Sequence, residues 1–306
     1  MDMMNSLTGG LMMLKEMKDK LPPSERKIAQ FILEHPHEAI HCTATQLGEL
    51  SSTSSAAVIR LCKSLGLKGL QELKLRISGD LQKKPDASYR DIQPGEASDL
   101  IVEKVTNNSL QAIKETMELV DYDTLAEAVD VLRNAERIHF FGVGASGIIA
   151  QDAQQKFMRM NKPTSAFTDL HNAAMNIANV SEEDVVFGIS FSGETYETAK
   201  IMEIARQKGA TTISLTRYGQ STVTSFADIS LYISASREIP APFRSGATSS
   251  RLAQLHMIDI LFVNLVTEQW NEASTYFNEI TDVMNTLKGT TVKKGKPVKR
   301  MIEKGG

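Results

Sequence analysis

The strongest constraint on how this chain can fold is a regular alternation of short apolar runs and amphipathic segments between residues 138 and 233. The five apolar runs cover residues 138–143, 164–167, 185–189, 212–215 and 229–233. Strands that alternate with helices form a parallel sheet covered on both faces, because each helix returns the chain to the same end of the sheet. The pattern therefore predicts a five-stranded α/β/α sandwich.

The residues before this region show only helical spacing, which predicts a separate all-helical domain. Its predicted helices cover residues 10–20, 24–35, 44–50, 55–65 and 70–81. Residues 83–98 then interrupt the pattern with two prolines, a glycine and many polar residues. Beyond them, helices are expected over 99–119 and 122–134 before the first strand, and over 249–269 after the last strand.

These patterns divide the 306 residues into two domains, a number that suits this length. The predicted parts are a helical domain at 10–84, a linker at 85–98, an α/β domain at 99–287 with its core at 127–267, and a tail at 288–306. The tail carries seven basic residues and one acid, which predicts a disordered extension. Basic residues also outnumber acidic ones by 13 to 10 in residues 1–90, so we expect a polyanion to meet this part of the chain.

Composition excludes several classes of protein. Apolar stretches such as 258–266 are too short to span a membrane, and the N-terminus lacks the features of a secretion signal. The chain is therefore expected in the cytoplasm, with no membrane partner. Cys42 and Cys62 are too few for a disulfide framework and lack metal-ligand spacing. We expect both to be packing residues, and we expect no metal and no cofactor.

A helix-turn-helix pattern occupies residues 44–63 of the helical domain. Leu47 and Leu50 share one face of the first helix, and Val58 and Leu61 are spaced to pack back onto it. An ordinary helical hairpin needs the same spacing, so the pattern alone leaves that alternative open. In a DNA-binding protein the second helix lies in the major groove, and Ser54 is placed to cap it. The residues then expected to face DNA are Ser54, Ser55, Ala56, Ala57, Ile59, Arg60, Lys63 and Lys68.

Two segments of the helical domain carry a family resemblance. They are Leu-Pro-Pro-Ser-Glu-Arg-Lys-Ile-Ala at 21–29 and Ala-Val-Ile-Arg-Leu-Cys-Lys-Ser-Leu-Gly-Leu-Lys-Gly-Leu-Gln-Glu-Leu-Lys at 57–74. Both closely resemble the N-terminal domain of the RpiR family of bacterial transcription regulators. The resemblance covers residues 10–81 and implies an operator-binding domain that works in a homodimer or homotetramer. One departure lies in the turn, where relatives often have Gly-Val or Asn-Val and this chain has Ser52 and Thr53.

The first predicted strand ends in a glycine-rich turn, Gly142-Val-Gly-Ala-Ser-Gly147. Gly144 lets the chain turn tightly into a helix whose free N–H groups favour an anion. The glycine spacing also satisfies the dinucleotide fingerprint, with Asp169 about where a ribose-binding carboxylate would lie. Asp169 is equally well placed as the N-cap of the next helix, so both explanations stay open.

The third predicted strand ends in a cluster of hydroxyl residues that favours a phosphate over a dinucleotide. Ser190, Ser192 and Thr195 surround Gly193 at the start of the next helix. Hydroxyls and backbone amides that converge on a helix N-terminus can hold a phosphate without a lysine. A dinucleotide fold does not require this second loop.

Both loops resemble the sugar isomerase (SIS) domain, whose two phosphosugar motifs match Gly142-x-Gly144-x-Ser146 and Ser190-x-Ser192-Gly-Glu-Thr195. The resemblance spans residues 127–267 and includes Thr248-Ser-Ser-Arg. The ligand-binding residues that it implies are Gly144, Ser146, Ser190, Ser192, Gly193, Thr195, Ser249 and Arg251.

SIS domains also occur in isomerases and in an etherase, whose chemistry needs acid–base groups. The candidates in this chain are Glu194, His171 and His256, and their spacing does not pair them. The resemblance therefore favours a sensor with no catalytic residues, and a phosphosugar isomerase or etherase is the alternative.

The combined features predict a transcriptional regulator, in its expected form a repressor, whose partners are operator DNA and a sugar-phosphate effector. Residues 21–27, 57–74 and 144–155 most resemble the branch of the RpiR family that regulates the use of N-acetylmuramic acid in Bacillus-like bacteria. That resemblance implies N-acetylmuramic acid 6-phosphate as the effector.

Overall fold

A computed structural model describes residues 8–81, 92, 94–234 and 248–288 of the chain. The predicted linker at 85–98 and tail at 288–306 lie largely outside the described residues, so the domain limits stay a prediction. Within the described ranges, no helix combines the length and apolar character needed to cross a membrane.

The N-terminal part is helical, as its spacing predicts. Its helices are α1 (Gly10–Met17), α2 (Pro23–Glu34), α3 (Pro36–Ala39), α4 (Ala44–Leu50), α5 (Ser55–Ser64) and α6 (Leu70–Leu81). Their apolar faces meet in one core, in which Leu14, Ile28 and Leu61 are fully buried. Cys42 and Cys62 are buried in the same core and are packing residues.

Four helix ends in this part differ from the predicted bounds, and two of them are the start of α2 at Pro23 and the end of α5 at Ser64. The helix predicted over 10–20 ends at Met17, and a 3₁₀ turn over Lys18–Lys20 follows it. The helix predicted over 24–35 ends at Glu34, because a residue that precedes a proline is disfavoured in the helical region. Pro36 then begins the short helix α3, which the sequence analysis did not predict.

The C-terminal part is built on five parallel strands, which confirms the predicted sandwich. They are β1 (Arg137–Gly142), β2 (Thr164–Phe167), β3 (Asp184–Ile189), β4 (Thr211–Arg217) and β5 (Ile229–Ile233). Their order across the sheet is β2-β1-β3-β4-β5, and every neighbouring pair is parallel. Successive residues face opposite sides, so Phe140 packs on one face of the sheet and Phe141 on the other.

Helices cover both faces of this sheet. They are α7 (Ser98–Leu119), α8 (Tyr122–Asn134), α9 (Ala145–Met158), α10 (Leu170–Ile177), α11 (Tyr196–Gln207), α12 (Ser249–Glu268) and α13 (Trp270–Leu287). Residues of α8, α9 and α12 share one apolar core with the sheet, and residues of α10 and α11 share the other. Helix α13 was not predicted as a separate helix, and Ala273 is its buried residue.

The N-terminal helices contact the segment that follows the carboxyl end of β4. The Tyr218 hydroxyl donates a hydrogen bond to the carbonyl of Leu65 at 2.5 Å, and Lys20 Nζ donates to the carbonyl of Gln220 at 3.4 Å. Tyr218 and Leu119 are buried in the core of the N-terminal helices. The segment after β4 therefore contacts the end of helix α5 directly.

Candidate functional site

The two predicted phosphosugar motifs lie next to each other, because each follows the carboxyl end of one of two neighbouring strands. Strands β1 and β3 are neighbours, and Gly142 at the end of β1 pairs with Ile189 at the end of β3. Strand order reverses between them, and the crevice outside such a switch point is where open α/β sheets bind ligands. We call residues 142–147 the glycine loop and residues 190–195 the hydroxyl loop.

Hydrogen bonds within the hydroxyl loop hold its side chains together. The Ser190 and Thr195 hydroxyl oxygens lie 2.8 Å apart, and the N–H of Gly193 donates to Ser190 Oγ at 3.1 Å. The N–H of Glu194 donates to Ser192 Oγ at 3.1 Å. Ser190 is buried while Ser192 is exposed. The loop thus brings the Ser190 and Thr195 hydroxyls together just before α11 and leaves Ser192 exposed two residues after Ser190, while the role of these residues in binding a ligand stays a prediction.

The backbone of the hydroxyl loop depends on Gly193. Its φ of 73° is in the left-handed region, and a Cβ there would lie 2.3 Å from Ser221 Oγ and 2.5 Å from Ser221 Cβ. The Gly193 carbonyl accepts a hydrogen bond from the N–H of Val223 at 2.9 Å. Thr222 Oγ1 donates to Glu194 Oε2 at 2.5 Å. Residues 221–223, which follow β4, therefore support the hydroxyl loop from its inner side.

The glycine loop also needs glycine for close approach. Gly144 has a φ of 60°, and α9 begins at the next residue. A Cβ at Gly142 would lie 2.6 Å from the carbonyl oxygen of Ser146, and no side chain fits at that distance. Ser146 is buried, and its hydroxyl accepts a hydrogen bond from Gln254 Nε2 at 3.5 Å.

Helix α12 approaches the glycine loop with its first two turns. Ser249 is buried and Arg251 is half-buried in the first turn, and Gln254 is buried one turn later. The Gln254 amide is the group that reaches Ser146. The structure thus brings α12 to the glycine loop, while the contacts of Ser249 and Arg251 with a ligand stay a prediction.

The structure assigns Asp169 to helix capping. Its Oδ1 accepts the N–H of Asn172 at 2.9 Å, and its Oδ2 accepts Asn172 Nδ2 at 2.7 Å. These hydrogen bonds lower the pKa of the Asp169 carboxyl. Asp169 is the N-cap of α10. Helix capping therefore explains this carboxylate without a ribose, which weakens the dinucleotide alternative.

The three acid–base candidates do not form a catalytic pair. Glu194 is exposed and accepts the hydroxyl of Thr222. His171 is exposed on α10, and His256 is half-buried on α12. No hydrogen bond among the described residues joins any two of these three side chains.

Helices α4 and α5 form the predicted helix-turn-helix. Thr43 and Gln46 form a capping box at the start of α4, and the Ser54 hydroxyl accepts the N–H of Ala57 at 3.3 Å to cap α5. A Cβ at Gly48 would lie 2.8 Å from the backbone of Ser54, so glycine permits the close approach of the two helices. The turn between them places Ser52 at a φ of 52°, in the left-handed region that favours glycine.

The outer face of α5 carries most of the residues predicted to meet DNA. Those exposed on the surface are Ser54, Ser55, Ala56, Ile59, Arg60, Lys63 and Lys68. Ala57 is the exception, because it is 1% exposed and packs into the helical core. The prediction that Ala57 faces the groove was wrong, since its position on the helix is the one that turns toward α4 and α2.

The side chain of Arg60 combines exposure with a weak internal contact. It is 56% exposed, and its Nε lies 3.7 Å from Glu25 Oε1. Glu25 is itself buried and accepts the hydroxyl of Ser64 at 2.7 Å. At 3.7 Å this contact is near the limit of an ion pair, and the guanidinium itself faces solvent, where it is available to a nucleic acid.

Comparison with known proteins supports both halves of this description. Residues 8–84 match the model of the helix-turn-helix domain of the rpiR family, and residues 131–264 match that of the SIS domain. The HTH-type transcriptional regulator YbbH of Bacillus subtilis is 50% identical over 92% of this chain and 99% of that protein. The chain belongs to the RpiR family.

Further relatives agree with this membership. The HTH-type transcriptional regulator TTE0211 of Caldanaerobacter subterraneus is 39% identical, over 92% of this chain and 99% of that protein. The structure of Vibrio vulnificus NanR in complex with ManNAc-6P aligns with a TM-score of 0.57 and 27% identity, over 91% of this chain and 99% of that one. This RpiR-family chain is a helix-turn-helix transcriptional regulator.

Sequence reasoning missed two parts of the RpiR regulator's candidate ligand site. Gln254 gives no signal of its own, because a glutamine inside a helix is most often a surface residue. Residues 221–223 lie far from the two motifs along the chain, and only the β3–β4 pairing brings them to the hydroxyl loop. Both omissions are contacts that depend on the assembled sheet.

Proposed function

We propose that this regulator is a repressor whose affinity for operator DNA is set by a sugar phosphate bound between the glycine loop and the hydroxyl loop. The observation that carries the proposal is the cluster of Ser190, Ser192 and Thr195 at the N-terminus of α11, on the same chain as a helix-turn-helix. A DNA-binding protein of a bacterium works in the cytoplasm, where phosphorylated sugars are found.

The proposed phosphate contacts use neutral groups. The free N–H groups at the start of α11 and the helix dipole favour an anion, and the hydroxyls can donate to its oxygens. Ser192 is the side chain best placed for this role, because it is exposed and accepts only the N–H of Glu194. We include Gly144, Ser146, Ser249 and Arg251 as the other wall of the proposed site.

The proposed effector is N-acetylmuramic acid 6-phosphate. NanR of Vibrio vulnificus was solved with ManNAc-6P, which is also a phosphorylated N-acetyl amino sugar. Family resemblance, rather than the two loops, supports the muramic acid derivative, because groups that hold a phosphate do not read the rest of a sugar.

The proposed DNA surface is the outer face of α5 together with Lys68. Small residues at the start of α5 allow close approach to base edges, and Arg60 and Lys63 can reach guanine or phosphate. Operators are read by paired domains, so this role requires self-association. Exposed apolar side chains support a homodimer or homotetramer, notably Val102 and Met117 on α7 and Trp270, Val283 and Leu287 on α13.

Two single substitutions test whether operator binding and effector binding use different residues of the chain. Arg60→Ala should weaken operator binding by about 1–3 kcal/mol and leave effector binding unchanged. Ser192→Ala should weaken effector binding and leave DNA binding unchanged in the absence of effector. Calorimetry with the sugar phosphate and fluorescence anisotropy with an operator duplex measure the two affinities. If Arg60→Ala left DNA affinity at the wild-type value, the placement of the DNA surface would be wrong.

We propose further that the sugar phosphate is sensed and not converted. The absence of a paired acid and base among Glu194, His171 and His256 supports this view. Incubation of the chain with N-acetylmuramic acid 6-phosphate and with ManNAc-6P, followed by chromatography, should return each compound unchanged. Turnover of either compound would favour the isomerase or etherase alternative.

A further inference from the structure

Arg217 lies beside the hydroxyl loop and has a buried side-chain nitrogen with no hydrogen bond among the described residues. It is the last residue of β4, and its backbone N–H donates to the carbonyl of Phe191 in the hydroxyl loop at 2.9 Å. The unpartnered nitrogen is its Nε. Buried polar atoms are nearly always hydrogen-bonded in native proteins, so an unpartnered Nε beside the hydroxyl loop is consistent with a group that donates a hydrogen bond to a ligand.

A second cation reaches the same place from the N-terminal helices. Lys20 ends the 3₁₀ turn after α1, and its Nζ lies 3.4 Å from the carbonyl of Gln220. The next residue, Ser221, is the one that packs against Gly193. Burial, and after it the nearby charge of Arg217, lowers the pKa of Lys20. The charged form of Lys20 is therefore disfavoured by its burial and by the positive charge of Arg217.

The carboxylates nearest to these two cations act on them from beyond ion-pair distance. Glu194 and Glu16 are the acids whose charges act on Lys20, and neither comes within 4 Å of Lys20 or Arg217 among the described residues. Glu194 is bonded to Thr222, and Glu16 accepts the hydroxyl of Ser234 at 3.3 Å. Burial raises the pKa of Glu16, and the positive charge of Arg217 opposes that shift without reversing it.

We propose that Arg217 and Lys20 form a cationic pair that binds an anionic group of the effector, so that the helix-turn-helix domain itself contributes a charge to the ligand site. This inference rests on the proposed function and extends it. The group bound is the phosphate, shared with the hydroxyl loop, or the carboxylate that N-acetylmuramic acid 6-phosphate carries and ManNAc-6P lacks.

The pair supplies a direct route from effector to DNA. Lys20 can reach the anion only while the N-terminal helices are docked on the segment after β4, so the docked arrangement binds the effector more tightly than an undocked one. Coupling of this kind is reciprocal, and the effector must therefore stabilise the docked arrangement. A paired regulator whose helix-turn-helix domains are fixed in this way presents its two α5 helices at a different spacing.

Three variants of the full chain and two ligands test the pair. Lys20→Met and Arg217→Met should each weaken binding of N-acetylmuramic acid 6-phosphate by about tenfold to a hundredfold, the range expected for one charge-assisted hydrogen bond. Lys20→Arg should keep most of the affinity, because it restores the charge. Titration calorimetry measures each value, and circular dichroism checks that each variant is folded.

The controls remove the same charges elsewhere. Lys27 is exposed on α2, and Arg159 is exposed just beyond the C-terminal end of α9, at the opposite edge of the sheet. Lys27→Met and Arg159→Met should bind both ligands as the wild type does. Equal losses for the two ligands in the Lys20 and Arg217 variants identify the phosphate as the bound group, and a loss confined to the muramic acid derivative identifies its carboxylate.

The result that would contradict the cationic pair differs from the result that would contradict the proposed ligand site. Wild-type affinity for both ligands in folded Lys20→Met and Arg217→Met would overturn the cationic pair and leave the proposed function standing. A wild-type chain that bound neither sugar phosphate would overturn the proposed ligand site, and the pair with it. If Arg217→Met did not fold, Lys20→Met alone would decide, because Lys20 lies outside the sheet.

Discussion

The hydroxyl loop and helix α5 hold their functional groups in different ways. In the hydroxyl loop the backbone is specialised, since Gly193 is left-handed and Ser190 is buried and bonded within the loop. On α5 the backbone is an ordinary capped helix, and the exposed side chains of Arg60 and Lys63 carry the proposed contacts. The proposed ligand site is therefore constrained by its backbone, whereas the proposed DNA surface depends on exposed side chains that can be exchanged without disturbing the fold.

The largest effect that this comparison predicts is at a glycine. Gly193→Ala should lower the free energy of unfolding by about 2–5 kcal/mol, because it combines a left-handed backbone with a Cβ in contact with Ser221. Gly66, which ends α5 at a φ of 69°, is the matched control, because the nearest atom to its Cβ would be 3.9 Å away. Gly66→Ala should cost about 1–2 kcal/mol. Urea denaturation measures both values, and equal losses would show that the hydroxyl loop is no more constrained than the helix end.

A smaller effect should separate the two serines of the loop. Ser190→Ala removes a buried hydroxyl that accepts the N–H of Gly193, so the free energy of unfolding should fall by about 1–3 kcal/mol. Ser192→Ala removes an exposed hydroxyl and should change it by less than about 0.5 kcal/mol. Thermal unfolding compares the two variants. A larger loss for Ser192→Ala would mean that the loop is not held by its buried hydroxyl.

Substitution of the N-cap residue of α5 tests whether helix α5 can be destabilised without an effect on the hydroxyl loop. Ser54→Ala should destabilise the chain by about 1 kcal/mol through loss of the hydrogen bond to Ala57, and Ser54→Gly by only a few tenths. Neither change alters the hydroxyl loop, so the calorimetric affinity for the sugar phosphate should stay at the wild-type value. A drop in that affinity would show that α5 and the ligand site are coupled through folding.

The smallest predicted effect is a gain in stability. Ser52 holds a left-handed backbone without being glycine, and Ser52→Gly should raise the free energy of unfolding by about 0.5–1 kcal/mol. Ser55→Gly, at an ordinary helical position three residues on, should lower it by about as much. Chemical denaturation of the two variants gives the comparison, and a loss in Ser52→Gly would show that the turn is unstrained.

Sequence reasoning located those parts that need special residues. The five strands, the two loops and the capped helix α5 all follow from periodicity, glycine and hydroxyl residues, and the structure has them within one or two residues of the predicted bounds at most ends. Helix α13 escaped prediction because it buries little of its surface in the chain. The burial of Ala57, the contact of Gln254 with Ser146 and the contact of Lys20 with the carbonyl of Gln220 depend on how the elements pack, and local spacing does not contain that information.

One measurement tests the central claim most directly. A labelled duplex, selected by the full chain from a random pool, is titrated with the regulator in the presence and absence of saturating N-acetylmuramic acid 6-phosphate, and in parallel with ManNAc-6P. The account predicts that at least one compound changes the DNA dissociation constant by about tenfold or more, which corresponds to about 1.4 kcal/mol of coupling. An unchanged dissociation constant with a sugar phosphate that calorimetry shows to be bound would contradict it.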